Sequence, residues 1–223
     1  MNNFFKEKGL AIAIAAASLA FATSANATTL LPGSGPLAVD ILGAAPGGTV
    51  LATNSGSVVT PHWSGTFRTA VVDGPEAGVN LDFYYQVTNN EGSTDSLGRI
   101  SGADFLNAFT TSVYQTASAF GIFVTGNQAA TTADRDVLGT VGFSFLPGES
   151  GTGKIDPGQT SYTLIVRTNA TAYAPGFMGI TNGTATYVNA FQPAVPEPGS
   201  MALLASGLLA IGGVARRRTK PNQ

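Results

Sequence analysis

The chain has no cysteine, one histidine and few charges: only 11% of its 223 residues are Asp, Glu, Lys or Arg. Each scarcity excludes something. Without Cys there is no disulfide, no thiol nucleophile and no thiolate metal site. A single His, His62, rules out histidine-rich metal clusters and leaves one imidazole as a general base. Globular chains carry roughly 25% charged residues, so Ser, Thr, Asn, Gly and Ala must cover most of this surface. A formal net charge of −2 offers no basic patch for phosphate, and no nucleic-acid partner is expected. No cofactor and no resident metal are expected, and the chain does not read as an enzyme. Long helical periodicity and fixed-period repeats are also missing.

What is present is organised in three segments. Residues 1–27 read as a secretory signal peptide. Lys6 and Lys8 form a positive start, Gly9 to Ala22 an apolar run, and Ala25-Asn26-Ala27 a small-x-small cleavage site. The run is short for a membrane span, so cleavage after Ala27 is expected rather than anchoring. At the other end, Val195-Pro196-Glu197-Pro198 precedes an apolar stretch, Met201 to Ala215. The basic cluster Arg216-Arg217-Arg218 and then Lys220 follow. A helix over about 199–215 has marginal spanning length, and the basic cluster holds its end in the cytoplasm. Its small residues (Ala205, Ser206, Gly207, Ala210, Gly212, Gly213) suit close packing against other helices and a temporary hold in lipid.

Residues 195–223 resemble the PEP-CTERM sorting signal of Gram-negative bacteria. Pro196, Glu197 and Pro198 match its motif, Leu203-Leu204 and Gly207-Leu208-Leu209 its apolar span, and Arg216 to Arg218 its basic end. The resemblance implies export by the general secretion machinery, transient inner-membrane association, and removal of the tail by an exosortase. The protein would then reach the cell surface or the extracellular polysaccharide matrix. The same tail is sometimes labelled an ice-binding C-terminal domain.

Residues 28–194 are expected to form one all-β domain, a single antiparallel β-sandwich (Ig-like or jelly-roll-like), flanked by the signal helix and the transmembrane helix. Eleven acids against five bases leave this segment at −6, so the near-neutral total is produced by the basic ends. Leu81, Phe83, Tyr85 and Val87 alternate with Asp82, Tyr84, Gln86 and Thr88, which predicts a half-buried strand. Val141 to Phe145 and Tyr162 to Arg167 alternate likewise. Further strands are expected over 37–42, 49–60, 65–72, 119–125 and 180–191, with turns at Asp73-Gly74-Pro75, Pro147-Gly148, Pro157-Gly158 and Asn182-Gly183. Phe105, Leu106 and Phe109 allow one short helix within 101–117. Phe83 to Asn89, Pro157 to Val166 and Phe191-Gln192-Pro193 also resemble elements of sandwich domains that precede this kind of tail.

Motifs for chemistry fall short one by one. Gly148 to Lys154 fits a phosphate loop until Ile155, where Mg²⁺ ligation requires Ser or Thr. Asp134 and Asp136, with Asn127 and Gln128 nearby, are too few for the six to eight oxygens around Ca²⁺. Asp82 and Asp104 are a carboxylate pair by inventory only. Thr184-Ala185-Thr186 has the unit of an ice-binding lattice without its repetition. Asn169-Ala170-Thr171 and Asn182-Gly183-Thr184 are glycosylation sequons that mark exposed turns. Two function classes remain. One is a non-catalytic surface or matrix (biofilm-associated) protein. The other is a carbohydrate-binding module using aromatics around Trp63, with His62 and Tyr84 as its further candidate contacts and extracellular polysaccharide as its partner.

Overall fold

The computed structural model describes residues 27–74, 80–106, 108–146 and 153–194. Ala25 and most of the signal segment, the glycine-rich loop at 147–152, and the sorting tail with its apolar stretch lie outside the described residues. The expectations of a signal helix and a transmembrane helix therefore fall outside them as well.

The described residues form thirteen strands and no helix. In chain order these are β1 (Thr28–Thr29), β2 (Leu37–Ala38), β3 (Asp40–Leu42), β4 (Thr49–Val59), β5 (Ser64–Asp73), β6 (Leu81–Asn89) and β7 (Arg99–Gly102). They continue with β8 (Thr111–Thr116), β9 (Thr132–Arg135), β10 (Val141–Ser144), β11 (Thr163–Thr168), β12 (Tyr173–Thr181) and β13 (Ala185–Pro193). The first sheet runs β1-β8-β11-β6-β5-β4, and β3 also lies along β8. The second runs β13-β12-β7-β10-β9-β2. All neighbours are antiparallel except β3 and β8.

The period-2 pattern decides what each strand buries. Leu81, Phe83, Tyr85 and Val87 of β6 join Phe67, Val71, Val113, Leu164 and Val166 of the same sheet. They meet Ile100, Val141, Phe143, Met178 and Ile180 of the other sheet in one core. The Phe83 and Phe105 rings meet edge to face, 5.5 Å apart. Such contacts hold two sheets face to face, at about 1.5–3 kcal/mol for each large side chain withdrawn from water. Hydrogen bonds also cross at the β13 end, where Tyr85 Oη donates to the Phe191 carbonyl (3.2 Å) and Asn54 Nδ2 to that of Asn189 (2.8 Å).

Besides the strand expected over 37–42, which splits at Val39 into β2 on the second sheet and β3 on the first, four expectations need correction. First, β6 is not half-buried. Its other face carries Asp82, Tyr84 and Gln86, all 0% exposed. A second apolar cluster of Ala70, Val72, Tyr84, Tyr114, Phe123 and Ile165 covers that face, with Ala27, Leu42, Ala45, Phe120 and Ile122 packed on it. Second, the described residues of 101–117 form no helix; its flanks are β7 and β8. Arg135 takes the carbonyls of Phe105, Leu106 and Phe109, which a helix would have used itself. Third, 119–125 is not a strand but a turn in which Phe120 and Phe123 bridge to each other. The Gln86 side chain exchanges both bonds with the Val124 backbone and stands in for a neighbouring strand. Fourth, 180–191 is not one strand: Asn182-Gly183 breaks it into the β12–β13 hairpin, with Gly183 at φ +112°.

Candidate functional site

Most side chains singled out from the sequence turn inward. Trp63 sits in the main core at 2% exposure, and Tyr84 lies under the second cluster at 0%. This overturns the expectation of an aromatic platform built on them: neither ring has a face for a ligand. His62, next to Trp63, is exposed. Its backbone carbonyl accepts from Thr94 and Asp95, while its imidazole makes no hydrogen bond among the described residues. No nucleophile–base pair involving His62 is formed there.

The carboxylates have internal tasks. Arg167 grips Asp82 with two hydrogen bonds, 2.8 and 2.7 Å, and lies over the Tyr114 ring. Burial pushes the Asp82 carboxyl above the usual aspartate range, against the opposing pull of Arg167 and Tyr114. Burial likewise pushes the Tyr84 and Tyr114 phenols up. Asp104 follows β7 with a left-handed backbone, φ 62°, on the other sheet. It does not face Asp82 as a catalytic pair. Asp134 and Asp136 do not converge either. Asp134 holds Arg99 bidentately at 2.5 and 2.7 Å, and Asp136 accepts from the Leu138 and Thr140 amides, 2.8 Å each. Asn127 binds the Thr160 amide. Among the described residues no group of three or more His, Cys, Asp or Glu is placed to hold a metal ion. Thr184 belongs to the hairpin turn rather than to β13, so it shares no strand face with Thr186.

Arg135, between the two aspartates, is 1% exposed. Its guanidinium donates to the carbonyls of Leu30, Phe105, Leu106 and Phe109 at 3.1, 2.6, 2.7 and 3.1 Å. Burial lowers its pKa.

One surface remains, and apart from Asp134 at its end its residues escaped the sequence reading. On the outer face of the second sheet, strand register lines up Tyr187, Gly179, Ser101, Gly142 and Asp134 in one row across five strands. Tyr187 is 71% exposed, and Phe177, two residues from Gly179 on the same face, is 57% exposed. The middle of the row is flat for a reason. A Cβ on Gly179 would meet Ser101 Oγ at 2.8 Å, and one on Gly142 would run into the Arg99 guanidinium that crosses it to reach Asp134. The result is a trough of about 220 Å³ lined by Ser101, Ala103, Thr140, Phe177, Gly179 and Tyr187. A cleft of about 390 Å³ lies on the other side of Phe177, with Asn54 and Asn189 on its walls.

The remaining functional element is the tail. The family described as PEP-CTERM protein-sorting motif matches residues 194–218. That span contains Pro196, Glu197, Pro198 and Arg216 to Arg218. No curated protein and no solved structure matches the chain. That motif indicates an exported protein sorted by an exosortase. The chain is a PEP-CTERM motif-containing protein, of the kind that transits the membrane of Gram-negative bacteria.

Proposed function

We propose that the chain is a non-catalytic component of the cell surface or the extracellular polysaccharide matrix. The secretion machinery exports it after signal removal at Ala27, its apolar tail holds it briefly in the inner membrane, and an exosortase releases it. The observation that carries this reading is the sorting motif over 194–218. The body supports it: Asp82, Asp134, Arg99, Arg135 and Arg167 are each bound to an opposite charge or to backbone carbonyls, which suits a structural task more than proton transfer. Ala27 packs beside Tyr114, and β1 begins at Thr28, so the expected processed chain starts with a paired strand. The alternative, a carbohydrate-binding module built on Trp63, loses its platform to burial of the indole.

Fractionation of an exosortase-containing host tests the reading. The wild-type chain should appear in the released fraction. Replacing Pro196, Glu197 and Pro198 together by Ala should leave it in the membrane. Equal release of both proteins would refute the role given to the motif.

A further inference from the structure

We propose that the trough beside Tyr187 and Phe177 binds a neutral polysaccharide chain. A sugar ring has an apolar C–H face and a rim of hydroxyls, so its site needs exposed aromatic faces next to hydrogen-bonding groups without net charge. The trough offers that combination. Tyr187 and Phe177 stand out of the sheet, while Gly179 leaves room between them and Ser101. Ser101 Oγ and Tyr187 Oη make no hydrogen bond among the described residues and remain open to hydroxyls. At the far end of the row Arg99 and Asp134 neutralise each other, with their side chains still 33% and 22% exposed. A bidentate pair of this kind keeps free N–H groups and lone pairs for neutral hydroxyls.

The rest of the molecule narrows the ligand class. A body at −6 repels polyanions. Two exposed aromatics around a floor of glycine and serine fall short of the apolar centre of a stable protein–protein interface, which covers roughly 1,200–2,000 Å². Clefts on both sides of Phe177 fit an extended chain better than a single sugar. The proposal rests on the export reading only for the place where polysaccharide is met.

Affinity electrophoresis tests it. The full-length chain in mild detergent is run through native gels containing dextran, hydroxyethylcellulose or galactomannan, with dextran sulfate as the charged comparison. At least one neutral polymer should retard the wild type, and dextran sulfate should not. Tyr187→Ala and Phe177→Ala should each weaken binding by about tenfold or more, the loss of one well-packed aromatic contact. Val59→Ala, at an exposed apolar site of β4 on the other sheet, should bind like wild type. The proposal is overturned if no neutral polymer retards the wild type, if the two aromatic variants run unchanged, or if dextran sulfate retards it most. Sedimentation showing a dimer that Tyr187→Ala dissolves would also overturn it, making the face a self-association surface. A chain released through its Pro-Glu-Pro motif that ignores every polymer would remove the saccharide site alone. A chain that binds but is not released would remove the sorting role alone.

Discussion

Replacing Arg135 by Met should cost about 3 kcal/mol of stability although it roughly preserves volume. The guanidinium is sealed from water and serves four carbonyls from two separate segments, Leu30 on one side and Phe105, Leu106 and Phe109 on the other. Methionine fills much of the space and removes every donor. A buried polar atom left without a partner costs about 1–3 kcal/mol. A carbonyl tolerates this better than an N–H group, so the low end applies to each of the four. Their sum is about 4 kcal/mol, and relief from burying an ion returns part of it. A net loss of about 3 kcal/mol is a large share of the roughly 5–15 kcal/mol that holds a typical domain. Urea unfolding followed by Trp63 fluorescence reads this directly, since the indole leaves the core on unfolding. Arg135→Lys should fall between the two, because one ammonium cannot reach all four acceptors. A Met variant within about 1 kcal/mol of wild type would refute the reasoning, because the carbonyls would then be satisfied without the guanidinium.

Other perturbations follow from the same geometry. Gly139→Ala should destabilise by about 2 kcal/mol or more, measured by thermal melting, because Gly139 has φ +90° and an added Cβ would lie 2.7 Å from the Phe105 carbonyl carbon. Burial nudges the Asp136 carboxyl up, but the Thr140, Leu138 and Gly139 bonds outweigh it and hold the pKa below the usual value. Its contribution is therefore present above the unfolded aspartate range and lost as pH falls through the lower folded value. Asp136→Ala should melt earlier than wild type at neutral pH, with the gap closing in acid; a constant gap would count against the charge-assisted turn. Gly142→Val should drive Arg99 off Asp134, a displacement that NMR of the guanidinium N–H signals would detect.

The parts of this fold that could be read from the chain are those in which neighbours in sequence carry the signal. Leu81, Phe83, Tyr85 and Val87 announce β6 by themselves, and the tail is one contiguous motif. Asp82, Tyr84 and Gln86 look like a wet face in sequence. They become dry because Arg167, Tyr114 and the Val124 backbone arrive from distant segments. The helix expected around Phe105 failed for the same reason: Arg135, a later residue, claims its carbonyls. The trough is harder still to see, since Tyr187, Gly179, Ser101 and Gly142 become neighbours only through the register of four strands. Trp63 stands out in the sequence as the sole tryptophan, whereas nothing in the sequence sets Phe177 and Tyr187 apart from the other aromatics.

β13 ends at Pro193, one residue before the matched sorting motif begins. Any pull on the tail therefore enters the body through an edge strand bound to a single neighbour, β12. Pro193 pairs with Tyr173 at the open end of that hairpin, and the Ala194 amide donates to the Ala172 carbonyl just beyond. Force applied there loads the hydrogen bonds one rung at a time, like a zip, instead of sharing the load among all of them at once. The links from Tyr85 to Phe191 and from Asn54 to Asn189 are the catches that stop the zip from running into the core. In the proposed tethered state, those two bonds between the sheets, together with the packing of Val188, Ala190 and Phe191 on the core, resist the body being drawn out strand first.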